Sequence, residues 1–600
     1  MTRPLTKPVN RRQAALQTTT LRDFSGGLNV IDSELNLDSK YSVKMVNIER
    51  AIDGSIAIRQ GMRLFATLEL EEDIVGLTYY NARLVCVCAD GSIYAVAGDG
   101  TQTLIWNEAI ANALPAAPSG WGETQFASFA VFNNELIICN GTDKPLLVNT
   151  SFVVDYLQDP ATGSNLNVPV CRYVLTAGRY MLMAGDLVQP DALYISNIDT
   201  SGVWYGDSPP NDGVIVYLGS RVPNDSTVKG IGLIRDKVVI GFQDALLIGT
   251  LGIYNTDGDH TPEFEDTIEN YGMISQRSIQ SIGDDMLFCD LDGVPSVARA
   301  LFTGALQPDR VSQLIDPLIQ ARLEALTTLS SLEDRVFSVY DRAQSKYMLF
   351  IPNNSYDDSI TETRGFVYRK IKTLKVNAWW EVSGWKWQTG TRSGAGRIFF
   401  TQNNRIYLMG DPHDPMYADY IGEMETFTDG TTFTDQTGLT PVVDENDSGI
   451  PIRFIWELPW GDFSARRHPK YSKYIAFDAP GTAQFTVDMF VDNIYEDRSD
   501  EGETFSDETL FTDDTGFERD EFDAALLPEL SMDFVGKDAP GYGGDLYGVL
   551  YGGGRPSGDE RPYAWPTKFN MAKIRVSGEA MGPLNIVAIT MHYLNAIARR

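Results

Sequence analysis

Apolar residues in this chain fall in short runs rich in Val, Ile, Tyr and Phe. The runs are cut by Gly, Asn and Asp at the intervals that turns need. One unit recurs: an apolar strand, a tight polar turn, a second apolar strand, then a Gly/Asp/Asn turn and often a third strand. Gly76–Val96 shows it in full. Phe129–Gly141, Leu175–Met183, Ile231–Gly241, Ile279–Gly293, Val336–Ile351 and Gly396–Met409 repeat its first half. The second strands begin near Leu84, Leu136, Tyr180, Val238, Met286, Tyr347 and Ile398, at spacings of 44 to 61 residues. Small antiparallel sheets repeating at about this period predict a mainly β protein with a divergent β-propeller of six or seven blades across residues 70–411. An array of β-sandwiches is the competing architecture. Helical periodicity shows in Leu314–Leu332, which predicts one packing helix between two blades.

The pattern changes after Asp411–Pro415. Two similar acidic segments, Glu425–Gly438 and Glu503–Gly516, flank a β-rich middle formed by Ile452–Trp460 and Tyr471–Asn493. A Gly/Tyr-rich stretch, Gly541–Gly554, follows. Phe569–Ser577 and Leu584–Tyr593 then read as two paired strands that complete the sheet begun near Tyr474. The expected division is an N-terminal arm and attachment segment (1–69), a propeller platform (70–411), an acidic β-rich nozzle region (412–530) and a C-terminal loop with closing strands (531–600).

Charge sharpens the picture. The chain's formal net charge is −32, and the windows Asp419–Asp447 and Glu496–Asp523 carry −8 and −11 of it. Phe427 and Phe433 in one copy, and Phe505 and Phe511 in the other, are six residues apart and share a strand face. Each copy therefore predicts an amphipathic hairpin with Phe inward and Asp and Thr outward. Three readings stand: solvated surface, cation binding, or the lining of a passage that must not hold a negative polymer. A pI near 4.5 argues against a nucleic-acid-binding surface, which needs Lys and Arg facing phosphate.

Candidate chemistry is sparse. The sequence has no GxSxG, HExxH, P-loop or GxGxxG motif, and no Asp-box of the sialidase type, so no catalytic residue and no cofactor is expected. Cys86, Cys88, Cys139, Cys171 and Cys289 lie in apolar runs and read as buried free thiols. Cys86 and Cys88 share one strand face. Four His and no CxxC argue against structural zinc. Asn255–Asp259 and Asp444–Gly449 gather oxygen ligands, but neither fits an EF-hand loop, and solvated turns are the reading taken. No apolar run reaches 18 residues, so no membrane-spanning helix is expected. Arg3, Lys7, Arg11 and Arg12 precede no apolar stretch, which makes the N-terminus a basic arm and not a secretory signal.

Asp23-Phe24-Ser-Gly26-Gly27-Leu28-Asn29 is followed by Asn47, then Asp53-Gly54, then Arg59-Gln60-Gly61. This resembles the opening of tailed-phage structural proteins, which carry Phe-x-Gly-Gly-Leu-Asn and later Asn…Asp-Gly…Arg-Pro-Gly. The resemblance is strongest to the tail nozzle (tail tubular protein B) of short-tailed, podovirus-type phages and to related propeller-bearing tail hub proteins. Gln60 stands where the family has Pro, which leaves that turn less rigid. Leu193–Asn197 with Trp204, and Asn270–Ser275, are similar to further family elements. The likeness covers residues 1–300 well and the rest only in plan.

The resemblance implies a virion tail protein, made in the host cytoplasm. Its implied partners are further copies in a homohexameric ring, a tail adaptor of the tail tubular protein A type, and tail fibres or spikes. Double-stranded genomic DNA would pass through during ejection without specific binding. The lumen-facing candidates are Glu425, Asp429, Asp435, Glu503, Asp507, Asp513 and Asp514. A propeller-based receptor- or glycan-binding tail protein is the alternative.

Overall fold

Runs of β-branched and aromatic residues form the strands, and residues that tolerate positive φ join them. Asn81 and Ala82, and again Asn133 and Asn134, all have positive φ. Each pair makes a two-residue hairpin, closed by Tyr80 opposite Arg83 and by Phe132 opposite Glu135.

The structure is a computed structural model. It describes residues 16–51, 54–112, 121–205, 213–222, 227–251, 263–264, 267–269, 271–283, 285–298, 310–326, 335–354, 360–371, 376–420, 450–461, 470–479, 484–491, 530–535, 563–564, 568–569, 571–580 and 582–595. Its contacts divide the chain into one unit of residues 60–450 and another formed by 1–59 with 451–600.

Residues 60–450 form a seven-bladed propeller among the described residues. Blade 1 is the antiparallel meander Ile74–Tyr80, Arg83–Cys88, Ile93–Val96, Gln102–Trp106. Blade 2 is Ser128–Phe132, Glu135–Cys139, Leu146–Val148, Val154–Tyr156, and blade 3 is Tyr173–Ala177, Tyr180–Ala184, Ala192–Ile195, Val214–Tyr217. Blade 4 is Gly230–Ile234, Lys237–Gly241 and Ala245–Thr250, with Glu263–Phe264 and Ile268–Glu269 on its edge. Blade 5 is the smallest, Gln280–Ile282 and Asp285–Leu287 extended by isolated bridges through Ser296 and Arg310. Blade 6 is Phe337–Asp341, Lys346–Asn354, Ile360–Ile371, Val376–Trp385. Blade 7 is Thr389–Arg392, Ile398–Gln402, Arg405–Met409, and its fourth strand is Met62–Thr67 from the far end of the unit.

All seven predicted second strands are present, and the count settles at seven. The ring begins earlier than residue 70, because Met62–Thr67 closes it. The innermost strands touch in order, and Thr389–Arg392 packs on Ile74–Tyr80 to complete the circle. Such closure leaves no free ring end, the propeller's solution to the exposed-edge problem. The expected helix forms over Asp316–Leu326, between blades 5 and 6, and buries Ile319, Leu323 and Leu326.

Side-chain alternation builds the core between blades. In blade 1, Val85 and Val87 join a cluster with Leu136 and Ile138 of blade 2, whereas Leu84, Cys86 and Cys88 join one with Ile406 and Leu408 of blade 7. The same exchange continues around the ring. Ile137 and Cys139 meet Met181 and Met183, Leu182 and Ala184 meet Val238 and Ile240, and Val239 meets Met286 and Phe288. Blades 6 and 7 are joined by rings instead: Phe350 lies 5.1 Å from Phe400, which stacks on Trp387 at 4.1 Å.

The other unit is made from both ends of the chain. Leu16–Leu21 pairs with Ala588–Asn595, which pairs with Lys470–Asp478. A second sheet runs Lys44–Val46, Ile450–Glu457, Ala572–Ala580, Gln484–Val491, Leu530–Val535. Ile48–Arg50, Ile56–Ile58 and Asn585–Ile586 form a third. Here the sequence expectation needs correcting. Ala588–Asn595 does complete the sheet around Tyr474, but Ala572–Ala580 belongs to the second sheet. The two terminal strands lie in different sheets, Ala572–Ala580 between Ile450–Glu457 and Gln484–Val491, and Ala588–Asn595 between Leu16–Leu21 and Lys470–Asp478.

Candidate functional site

The N-terminal motif residues are framework. Phe24 is 1% exposed and meets Trp456 edge-on at 4.9 Å, and the Trp456 indole N–H donates to Ser42 Oγ at 2.8 Å. Gly26 admits no side chain, since a Cβ there would lie 2.4 Å from the Tyr41 ring. Gly27 has φ of +68°, and Leu28 is fully buried. The Asn29 carboxamide accepts from the Ile31 and Asp32 amides and donates to the Asp32 carboxylate, which fixes the turn after the motif.

Asn47, at φ of +57°, is a junction. Its side chain accepts from Arg59 Nε at 3.0 Å and donates to the Arg453 carbonyl at 2.8 Å. Gly54, at φ of +98°, turns the hairpin between Arg50 and Ile56, and Asp53 lies outside the described residues. Gly61 is packed so closely that a Cβ would sit 2.0 Å from the Ala418 carbonyl oxygen. The departure at Gln60 has a use of its own: its side-chain oxygen accepts from the Met416 amide at 3.1 Å, a tie that Pro could not make.

A buried ion cluster was not legible in the sequence. Glu457 is 1% exposed and faces Arg575 across a strand pair. Arg575 donates to one carboxylate oxygen, and Lys573 reaches the other at 3.0 Å while also touching Glu34 at 3.1 Å. Burial pushes the Glu457 carboxyl up, but Lys573 and Arg575 together outweigh it and hold it below its ordinary value. The residues that meet come from 34, 457 and 573–575, too far apart for spacing to reveal.

The propeller axis holds a second unforeseen feature. Arg277, just before the innermost strand of blade 5, donates to the Val75 carbonyl at the start of blade 1's innermost strand. Its guanidinium also lies 5.4 Å from the Phe126 ring, which Arg172 approaches at 5.1 Å. All four residues sit at the N-terminal ends of innermost strands. The innermost strands of blades 2 and 3 run alongside one another, as the bonds from Ser128 to the Arg172 carbonyl and from Thr176 to the Val131 carbonyl show. This end of the axis is bridged by cation–π and hydrogen-bond contacts.

The lumen candidates Glu425, Asp429, Asp435, Glu503, Asp507, Asp513 and Asp514 lie outside the described residues, as do both oxygen-rich turns at 255–259 and 444–449 and the basic positions before residue 16. Among the described residues, no group of three or more His, Cys, Asp or Glu could hold a metal ion, and no helix is long and apolar enough to cross a membrane. All five cysteines are free and buried, and burial drives the thiol pKa values up, that of Cys88 to about 12. Trp204 is 1% exposed, its N–H donating to the Ser201 carbonyl, and Tyr271 is also buried.

No family model matches the chain, and no curated protein matches it. Among solved structures it is similar to a streptogramin B lyase (10% identity, TM-score 0.33, covering 59% of this chain and 98% of that one). It is also similar to the WD40 β-propeller domain of Doa1 (10% identity, TM-score 0.32, covering 59% and 97%). A third similarity is to PorZ, a surface component of the type-IX secretion system of Porphyromonas gingivalis (13% identity, TM-score 0.33, covering 65% of this chain). The chain spans 44% of the length of that PorZ chain. The propeller assignment rests on the seven sheets and the closing strand, not on these likenesses.

Proposed function

We propose that this protein is a structural component of a short phage tail, a nozzle that continues the tail channel for DNA ejection and carries no chemistry of its own. The observation that supports this reading is the insertion topology. A closed propeller is spliced between Arg59 and Pro451 of a β unit that both chain ends build. The Phe24–Asn29 and Asn47–Arg59 segments, which carry the phage-tail resemblance, form the frame at one edge of that splice.

Arg277 bridges the propeller's own axis, so a passage for duplex DNA in this reading lies between subunits. The acidic windows then face the lumen, where phosphate is repelled and does not adsorb. Charges within a Debye length of about 8 Å do that work at physiological salt. The ring is a homohexamer that meets a tail adaptor above and fibres or spikes at its side.

Negative-stain microscopy of the purified protein tests the reading. A ring with a central hole, seen alone or after addition of portal–adaptor particles, is the expected result. A protein that stays monomeric beside such particles and binds defined glycans on an array would instead make it a receptor-binding tail protein.

A further inference from the structure

The innermost strands of blades 5, 6 and 7 wall a cavity of about 650 Å³, together with the turns that follow the first two. Blade 5 supplies Gln280, Ser281 and Gly283, blade 6 supplies Ser338 to Tyr340 with Arg342, and blade 7 supplies Gly390 to Arg392. The lining is mostly polar, in contrast to the apolar clusters between blades elsewhere in the ring.

Two of its residues are arginines, on a chain whose net charge is −32. Neither Arg342 nor Arg392 has an ion-pair partner among the described residues. The Nε of Arg392 is buried with no hydrogen-bond partner. A buried guanidinium N–H without a partner is costly, and such groups are expected to be satisfied. The adjacent Asp341 carboxylate accepts from the Ala343 and Gln344 amides through one oxygen and pairs with neither arginine among the described residues. Gln280 and Ser338 are also committed: the Gln280 amide donates to the Ser338 carbonyl at 2.9 Å and the Ser338 hydroxyl to the Ser278 carbonyl at 2.8 Å. Free to meet a guest are both guanidinium groups and the Ser281 and Thr391 hydroxyls, with the Tyr340 ring beside them. Both arginines are close enough to Tyr340 to counter part of the upward push that burial gives its hydroxyl.

A cup with two arginines against the single carboxylate of Asp341, hydroxyl groups and one aromatic edge fits a guest with one anionic group and several hydroxyls. We propose that this cup binds a small hydroxylated anion, a sugar carrying a carboxylate or a phosphate. The two arginines take the anionic group, and Ser281 and Thr391 meet the ring hydroxyls. The inference stands apart from the tail-nozzle reading, since it needs only the propeller.

Titration calorimetry on the full chain tests it with glucuronate, glucose 6-phosphate, glucose and inorganic phosphate. Both charged sugars are expected to bind and glucose is not. Binding should weaken at least tenfold in Arg392→Gln and again in the double variant with Arg342→Gln. Arg342 is exposed, so Arg342→Gln alone is a variant that folds and should still lower affinity several-fold. The proposal is overturned if neither charged sugar binds, if the arginine variants bind as the parent does, or if inorganic phosphate binds as tightly as the sugar phosphate.

Discussion

Single residues set the clearest pH dependence. Asp290 is 5% exposed, and burial drives its carboxyl pKa up to about 7, against the Leu291 amide and Arg310, which favour the charge. A folded-state value above the unfolded one means the native state keeps a proton that the unfolded chain loses. Stability therefore falls as pH rises from about 4 to about 7, then levels off. Asp290→Asn keeps the acceptor and removes the ionisation. It should gain on the order of 4 kcal/mol over the parent at pH 8 and little at pH 4. Urea denaturation at both pH values checks this, and parallel curves for the two proteins would reject it. Gly61 gives a steric counterpart. With 2.0 Å between a Cβ and the Ala418 carbonyl oxygen, Gly61→Ala must shift the backbone, and we expect a loss of about 3 kcal/mol in the same assay.

At the scale of elements, one strand decides the ring. Met62–Thr67 is the fourth strand of blade 7, and Tyr407 in its neighbour pairs with Leu64 on one side and Phe400 on the other. Proline in such a central strand removes ladder bonds. Tyr407→Pro should cost at least about 3 kcal/mol. The loss should appear as one cooperative transition at lower denaturant, because every blade packs on two neighbours. A separate early transition for blade 7, followed by tryptophan fluorescence, would show the ring to be held open-ended. The Glu457–Lys573–Arg575 cluster behaves in the opposite sense to Asp290. Its depressed carboxyl contributes stability that is present above about pH 4.5 and lost as pH falls through the depressed value.

At the scale of the whole molecule, the inter-blade clusters formed by the described residues from blade 7 round to blade 5 lie within residues 60–450. That segment expressed alone should unfold cooperatively, with a midpoint within a few degrees of the corresponding transition in the full chain, as calorimetry would report. A molten segment would mean that its folding depends on the rest of the chain.

Periodicity, two along strands and 3.6 along a helix, is a local property, which is why all seven blade hairpins, the buried thiols of Cys86 and Cys88 and a helix within Leu314–Leu332 were readable from residue order. The turn chemistry at Asn81-Ala82 and Asn133-Asn134 was readable for the same reason. Tertiary structure alone decided which strands close each sheet. The pairing of Met62–Thr67 with Arg405–Met409, the separation of the two terminal strands into different sheets, the Arg277 bridge and the Arg342–Arg392 cup all join positions that no spacing rule connects. Their partners are chosen by long-range burial and hydrogen-bond satisfaction, which the chain expresses only once the ring has closed.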